Sequence, residues 1–590
     1  MFRFLIIGLI SLVGAYYDVH FQKEYDYIII GAGSAGSVVA NRLSKDRSIS
    51  VLLLEAGSCP SLISEIASFP AELQKTKYDW KFKTVPQKNS CWGLKDQRSS
   101  WPRGKVLGGS SILNSMMYVR GNKRDFDQWA KDGAIGWSYD EVLSYFKKSE
   151  DNRITEFNKN GYHGIGGELT VEKTFDNYLK DIFLKAGKEL GYDSGDYNGE
   201  SQKVFSDIQA TLRDGTRCST KKAFLDPIRG RRNLHILTSA FVKKINFDDK
   251  KQAKFVTFDY QDKTLTIAVS KEIILSAGAI NSPHILMLSG IGSKKDLEKF
   301  QIPVISNLPV GKNLQDHVST SAMIFTINKP YSFLKSRLTV DDIIEYLKNG
   351  NNKLTTLGGV EAVAFVNTKY NLMQDWPDIE IIFQSFSLAS DGGTSYISGI
   401  GLTEHMFEKY ASPYVNNDTI NCLPMLQRPK SRGQIRLKSS DPYEHPIIDP
   451  KYFSHPDDLK VLVEGMKICL EIASTSTMKE IGTKPIETIV PGCEKYEKFS
   501  DDYLTCVAQT FTHTVYHPIG TCKMGSVSDE SSVVDPNLKV KGVKGLRVVD
   551  ASVIPSMISG HTNAAAIMIG EKASDMILDD LKTSRSKEEL

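Results

Sequence analysis

Residues 25–36, YDYIIIGAGSAG, answered by SVLLLEAG at residues 50–57, constrain this chain more tightly than any other stretch. Tyr27 to Ile30 form an apolar, β-branched run that stops at Gly31. The following SAGSVVANRLS puts Ala35, Val38, Val39, Arg42 and Leu43 at helical spacing. The pattern reads as strand, tight glycine turn, helix. Gly31, Gly33 and Gly36 fill G-x-G-x-x-G, where absent side chains permit the turn, the approach of a pyrophosphate to backbone N–H groups, and close packing of helix on sheet. Ser34 and Ala35 belong to the same expected binding turn. Glu55 ends the second buried strand, where an acidic side chain can accept hydrogen bonds from the ribose hydroxyls of an adenine dinucleotide. The chain is therefore expected to be built around such a cofactor.

A chain of 590 residues has room for about four domains, and two interleaved domains of a large α/β enzyme account for it equally well. Net charge is only +3, with both signs spread along the chain, which argues against a nucleic-acid partner. The run KKINFDDKKQAK at residues 243–254 lies between strand-like segments and reads as a solvated hairpin. At the N-terminus, Arg3, the apolar run from Phe4 to Val13 and the small residues Gly14 and Ala15 have the form of a secretory signal over residues 1–15. No later stretch reaches the roughly eighteen apolar residues of a membrane span, so the mature chain is expected to be soluble and to enter the secretory pathway. The final KEEL, residues 587–590, resembles a retrieval signal of the endoplasmic reticulum. Eight cysteines suit an oxidising compartment, and Cys493 with Cys506 is the preferred pair. Asn417 stands in the one glycosylation sequon, and no cysteine or histidine spacing suggests a metal site.

Residues 58–100 carry no strong periodicity and read as an irregular excursion of the kind that covers a site. WPRGKVLGGSSILNSMMYVRGN follows at residues 101–122. Its Gly104, Gly108, Gly109, Ser110 and Ser111 leave a backbone with many accessible N–H donors, suited to a diphosphate or flavin. Arg103 and Asn114 are its polar members with reach.

This stretch resembles the first signature of the glucose-methanol-choline (GMC) flavoprotein oxidoreductases. GAINSPHILMLSGIG at residues 278–292 resembles their other signature. VGKNLQDH from Val310, YHPIGTCKMG from Tyr516 and LRVVDASVIPSMISGHTNAAAIMIGEKASDMI from Leu546 complete the set in order. The resemblance covers about residues 24–580 and is nearest to secreted insect and arthropod members. It implies a mixed-sheet, Rossmann-like FAD-binding domain of α/β class interleaved with an α+β substrate domain carrying an antiparallel sheet. The FAD-binding part is expected mainly over residues 24–320, substrate-domain residues over 321–427, and over 428–580 the rest of that domain, the catalytic histidines and the return to the first domain. It also implies adenosine contacts at Gly31, Gly33, Gly36 and Glu55, diphosphate and flavin contacts around Arg103, Val106, Gly108, Gly109, Ser110 and Asn114, and further contacts from Val242, Asp550, Ala551, His561 and Thr562. In several relatives the residue before the signature asparagine is a histidine tethered covalently to the flavin. Here that residue is Leu113, so FAD is expected to be held without a covalent bond.

Between the signatures, residues 234–277 alternate in HILTSAFVKKINF, AKFVTFDYQ, LTIAVS and KEIILSAGA, read as a short antiparallel meander that returns to the parallel sheet. The middle region offers a helix at residues 340–348 and a strand at 378–386, where substrate choice must be written.

Oxidation of an alcohol by hydride transfer needs a base for the hydroxyl proton and a carbinol hydrogen facing flavin N5. Histidine has the side-chain pKa nearest neutrality. Of the eleven histidines, His517 occupies the family's catalytic-base position, with Pro518 restraining the backbone before it. His561 matches the second active-site position and is expected to orient the substrate oxygen. His317 reads as a loop anchor, and His513 matches no catalytic position. Tyr516 and Phe511 are placed to narrow the pocket toward apolar or aromatic alcohols. The product would be an aldehyde or ketone. Oxygen is the expected electron acceptor, a quinone-like acceptor the alternative, and a hydroxynitrile-lyase-type activity on the same scaffold the reading from another reaction class.

Overall fold

The computed structural model describes residues 22–350 and 352–588. The segment read as a signal, and the last two residues of the KEEL tail, lie outside them.

Strand β1 (Glu24–Ile30) runs parallel to β2 (Val51–Leu54), and the helix α1 (Ser34–Leu43) joins them. Ile28, Ile29 and all four residues of β2 are buried, as a parallel strand covered on both faces requires. Leu234–Leu237 extends this sheet beyond β2. On the other side of β1 lies β3 (Lys263–Leu275). The sequence suggested two short segments here, LTIAVS and KEIIL, but they form one strand of 13 residues. Its first half pairs antiparallel with Ala253–Tyr260, and its second half runs parallel between β1 and Leu546–Val548. A single strand thus joins the meander to the parallel core. The charge-rich run at residues 243–254 bends between Phe247 and Ala253, as the solvated hairpin expected there.

The second sheet has eight strands with every pairing antiparallel. Its centre is β4 (Ile379–Gln384) between Val360–Val366 and β5 (Thr419–Leu426), all three buried throughout. Only β4 stood out in the sequence, because strands buried on both faces lose the alternation that marks a strand. The 18-residue helix Pro456–Ala473 packs on this sheet and is joined to β5 by the Cys422–Cys469 disulfide. Cys493 and Cys506 form the second disulfide, Cα atoms 5.8 Å apart. The helix expected at residues 340–348 spans Val340–Asn349. Asn417 is exposed. Among the described residues no helix is long and apolar enough to cross a membrane.

The last helix, α2 (Thr562–Glu588), returns to the first sheet and packs against α1, where the absent side chain of Gly570 lets the two approach: a Cβ there would lie 2.9 Å from the Ala35 carbonyl oxygen. This return places Ala566 of α2 against the glycine-lined cleft, with His561 immediately before the helix.

Candidate active site

A cleft of about 1210 Å³, its open mouth included, lies at the carboxyl ends of β1, β2 and β3. It occupies the place where open α/β sheets bind their ligands. Gly31, Gly33, Ser34, Ala35, Glu55, Arg103, Gly109, Ser110, Val242, Asp550 and Ala551 all line it.

The glycines are required by contact. Gly31 has φ +100°, and a Cβ there would sit 2.5 Å from the Ser276 carbonyl oxygen. Gly109 has φ +56°, and its Cβ would meet Gly33 Cα at 2.6 Å, while Gly108 N donates to the Ala32 carbonyl at 2.8 Å. The two glycine loops therefore interlock across the floor of the cleft. At the start of α1, Gly33 provides no side-chain cap and the first turn holds no acidic residue. Its unpaired N–H groups and dipole suit a phosphate.

Both Glu55 oxygens are engaged: Oε2 accepts from Ala32 N at 3.1 Å and Oε1 from Gly57 N at 2.8 Å. Burial raises its pKa to about 7, against the pull of those N–H groups. Each oxygen keeps a second lone pair for a ribose hydroxyl. Asp550 accepts from Gly278 N, Ser282 Oγ and Ser552 N, binding two chain segments to the cleft wall. An elongated dinucleotide fits this donor set. Sequence reasoning missed the aromatic rim, where Trp80 and Phe82 stack at 5.8 Å and Phe241 stacks on Tyr443 at 5.0 Å. Tyr443 comes from a different part of the chain, so no local pattern announces it.

Val106, Gly36, Gly108, Asn114, His561 and Thr562 do not line this cleft, and neither does His517. Val106 is fully buried and packs with Leu73, Tyr78, Ile112 and Leu113; its carbonyl accepts from Gly109 N at 2.7 Å. Leu113 thus has carbon neighbours and no nucleophile. Thr562 opens α2, beside Asn563, whose Oδ1 accepts from Ser34 Oγ at 2.6 Å. Asn114 Oδ1 accepts from Met116 N at 3.2 Å and from Arg217 Nη1 at 2.9 Å.

His517 and His561 meet with ring centroids 4.7 Å apart. The backbone beneath His517 is set on both sides: Tyr516 has φ +67°, uncommon for a side-chain-bearing residue, and its carbonyl accepts from Arg103 Nη1 at 2.7 Å. His517 N donates to Asp316 Oδ1 at 3.0 Å. Phe511 is buried against Tyr410, ring centroids 5.1 Å apart, so it serves packing.

Three further residues, none singled out for catalysis by the sequence, fix the two imidazoles. His317, fully buried, has Nε2 2.8 Å from the Gln427 carbonyl and Nδ1 3.0 Å from His517 Nδ1. Burial holds its pKa down to about 3, so the ring is neutral. A carbonyl only accepts; His317 must carry its one proton on Nε2, and its Nδ1 must accept. His517 therefore donates from Nδ1 and keeps a lone pair on Nε2. Burial, and then the nearby His561, His317 and Arg103, hold the His517 pKa well below the usual histidine value. On the other ring, His561 Nε2 lies 3.1 and 3.3 Å from the two Glu380 oxygens, which leaves Nδ1 for a substrate. Glu380 belongs to β4, so the antiparallel sheet is a wall of the site. VGKNLQDH was the only sequence signal for His317, and nothing local marked Glu380.

Comparison with known proteins agrees with this architecture. The N- and C-terminal GMC oxidoreductase family models match residues 25–319 and 429–570. The chain is 40% identical over 558 residues to a glucose dehydrogenase [FAD, quinone] of Drosophila melanogaster, covering 94% of this chain and 87% of that one. It is 38% identical over 570 residues to an alcohol dehydrogenase [acceptor] of Pseudomonas putida, covering 94% and 96%. Pyridoxine 4-oxidase from Mesorbium loti superposes with a TM-score of 0.79 at 28% identity, over 93% of this chain and 98% of that one. By these matches and by its mixed sheet the chain belongs to the GMC oxidoreductase family, with FAD as its cofactor.

Proposed function

We propose that this chain oxidises the CH–OH group of a small alcohol to an aldehyde or ketone, with His517 as base and His561 orienting the substrate oxygen. The observation that carries the reading is the hydrogen-bonding geometry of the paired imidazoles: His517 is engaged at Nδ1 by His317 and its Nε2 meets no hydrogen-bond partner among the described residues, with its ring centroid 4.7 Å from that of His561, whose Nε2 faces Glu380. FAD, when bound, supplies the hydride acceptor. His517 takes the hydroxyl proton at Nε2; His317 keeps the opposite edge of that ring in register; Glu380 keeps His561 turned so that Nδ1 can meet the substrate oxygen. Low pKa keeps His517 in its base form at neutral pH. With Leu113 standing where some relatives carry the tethering histidine, FAD is bound without a covalent bond. Arg103, Gly109, Ser110, Asn114, Asp550 and Ala551 are the residues assigned to its diphosphate and flavin.

The two relatives above are named for a quinone and for an unspecified acceptor. These names support a quinone-like acceptor in place of the oxygen expected from sequence. The test is anaerobic flavin reduction with a panel of aryl, terpenoid, sugar and fatty alcohols, followed by addition of benzoquinone or of air. Bleaching of the flavin by at least one class and reoxidation by benzoquinone are expected. Rapid peroxide formation in air would overturn the acceptor, and an unreduced flavin with cleavage of a cyanohydrin would overturn the oxidation.

A further inference from the structure

Arg217 is fully buried, and its guanidinium has no carboxylate partner among the described residues. Nε donates to the Ser64 carbonyl at 2.8 Å. Nη1 donates to the carbonyls of Ser111 at 3.1 Å and Asn114 at 2.7 Å, and to Asn114 Oδ1 at 2.9 Å. Nη2, also buried, meets no acceptor among the described residues. The carboxylate that bears on it, Glu65, is itself paired with Lys222 at 3.1 Å. Burial accordingly lowers the Arg217 pKa to about 10. Taking an unpaired charge out of water is unfavourable, so an arginine here calls for a reason beyond filling space.

The reason lies in what Arg217 holds. Met116 N can only donate, so the atom of Asn114 it meets is Oδ1; with Arg217 as second donor, both lone pairs of that oxygen are committed. The Asn114 amide can turn neither way, and its Nδ2 hydrogens are its only free groups. The Ser111 and Asn114 carbonyls accept from the same guanidinium, which ties this loop to Arg217.

We propose that Arg217 is a positioning residue for the flavin, fixing Asn114 so that it presents amide donors to the ring, and placing a buried positive charge that favours the reduced cofactor. A hydride brings two electrons with one proton, so a neutral ring ends with one negative charge, and a nearby unpaired cation stabilises that state. This rests on the assignment of Asn114 to the flavin. The test compares Arg217→Gln and Arg217→Lys with wild type as holoenzymes, by dye-equilibrated reductive titration and by FAD affinity. Arg217→Gln is expected to disfavour the reduced form at least tenfold, about 30 mV for a two-electron couple. Arg217→Lys, which keeps the charge and loses the fork, is expected to retain the wild-type potential while FAD binds about tenfold more weakly, and it decides the matter if the glutamine variant does not fold. Wild-type FAD affinity in the lysine variant, or wild-type potential in a folded glutamine variant, would overturn the proposal. Should Asn114→Ala leave FAD affinity and potential unchanged, the Asn114 assignment fails first, and that result is separable from either Arg217 outcome.

Discussion

His317 Nδ1 stands 3.0 Å from His517 Nδ1, and because its other nitrogen is spent on the Gln427 carbonyl, this one contact decides which nitrogen of His517 is a base. Replacing His317 by alanine should leave FAD bound and slow flavin reduction by about a hundredfold, the effect of a misplaced reacting group. Stopped-flow reduction by a good alcohol checks it; an unchanged rate would show that His517 needs no such partner.

His517→Ala should cost more. With the cofactor retained and the proton acceptor gone, reduction should slow by at least about a hundredfold, within the range for a positioned general base. Visible spectra establish that FAD is present, and the rate then tests the base itself.

The pH dependence follows from the direction of the His517 shift. A base whose pKa is pushed down by burial stays unprotonated as pH falls through the ordinary histidine range. The rate of flavin reduction should therefore be flat from about pH 8 to about pH 6.5 and decline only in more acidic solution. A decline already half complete at pH 6.5 would contradict the assignment.

A second histidine bears on stability. His163 Nδ1 lies 2.9 Å from Glu150, its Nε2 lies 2.8 Å from Asp196, and Arg120 pairs with Glu150 from the other side. Desolvation opposes the charged ring, but bonds to Asp196 and Glu150 outweigh it, and the His163 pKa is raised. Its contribution is therefore complete below the unfolded value near 6.5 and is lost as pH rises through the folded one. The Glu150 and Asp196 values are lowered, so their contribution is lost as pH falls through their folded values. Denaturant midpoints should form a plateau with two falling limbs, and His163→Gln should abolish the alkaline one. Parallel alkaline limbs in the two proteins would refute this.

Leu113, packed among Val106, Ile112 and Tyr78, offers no atom for a bond to the flavin. Acid precipitation should leave FAD in the supernatant, and yellow colour in the washed pellet would count against it.

Much of the first sheet was legible because its signals are local. The turn at Gly31, the helix from Ser34 and the acidic end of β2 follow one another within about thirty residues, each dictated by sterics or periodicity. His517 and His561 were legible by another route, since the stretches around them resemble family signatures. What sequence reading left out are partners set by distance in the chain: His317 against His517, Glu380 against His561, Arg217 against Asn114, Tyr443 over Phe241. Local pattern carries no information about which of several buried strands will lie side by side, nor about which face a carboxylate such as Glu380 will present once they do. The sequence by itself determined that a dinucleotide turn and two histidines are present. Only the tertiary structure decided which imidazole nitrogen is left bare, because that depends on a carbonyl and a carboxylate delivered by a second sheet.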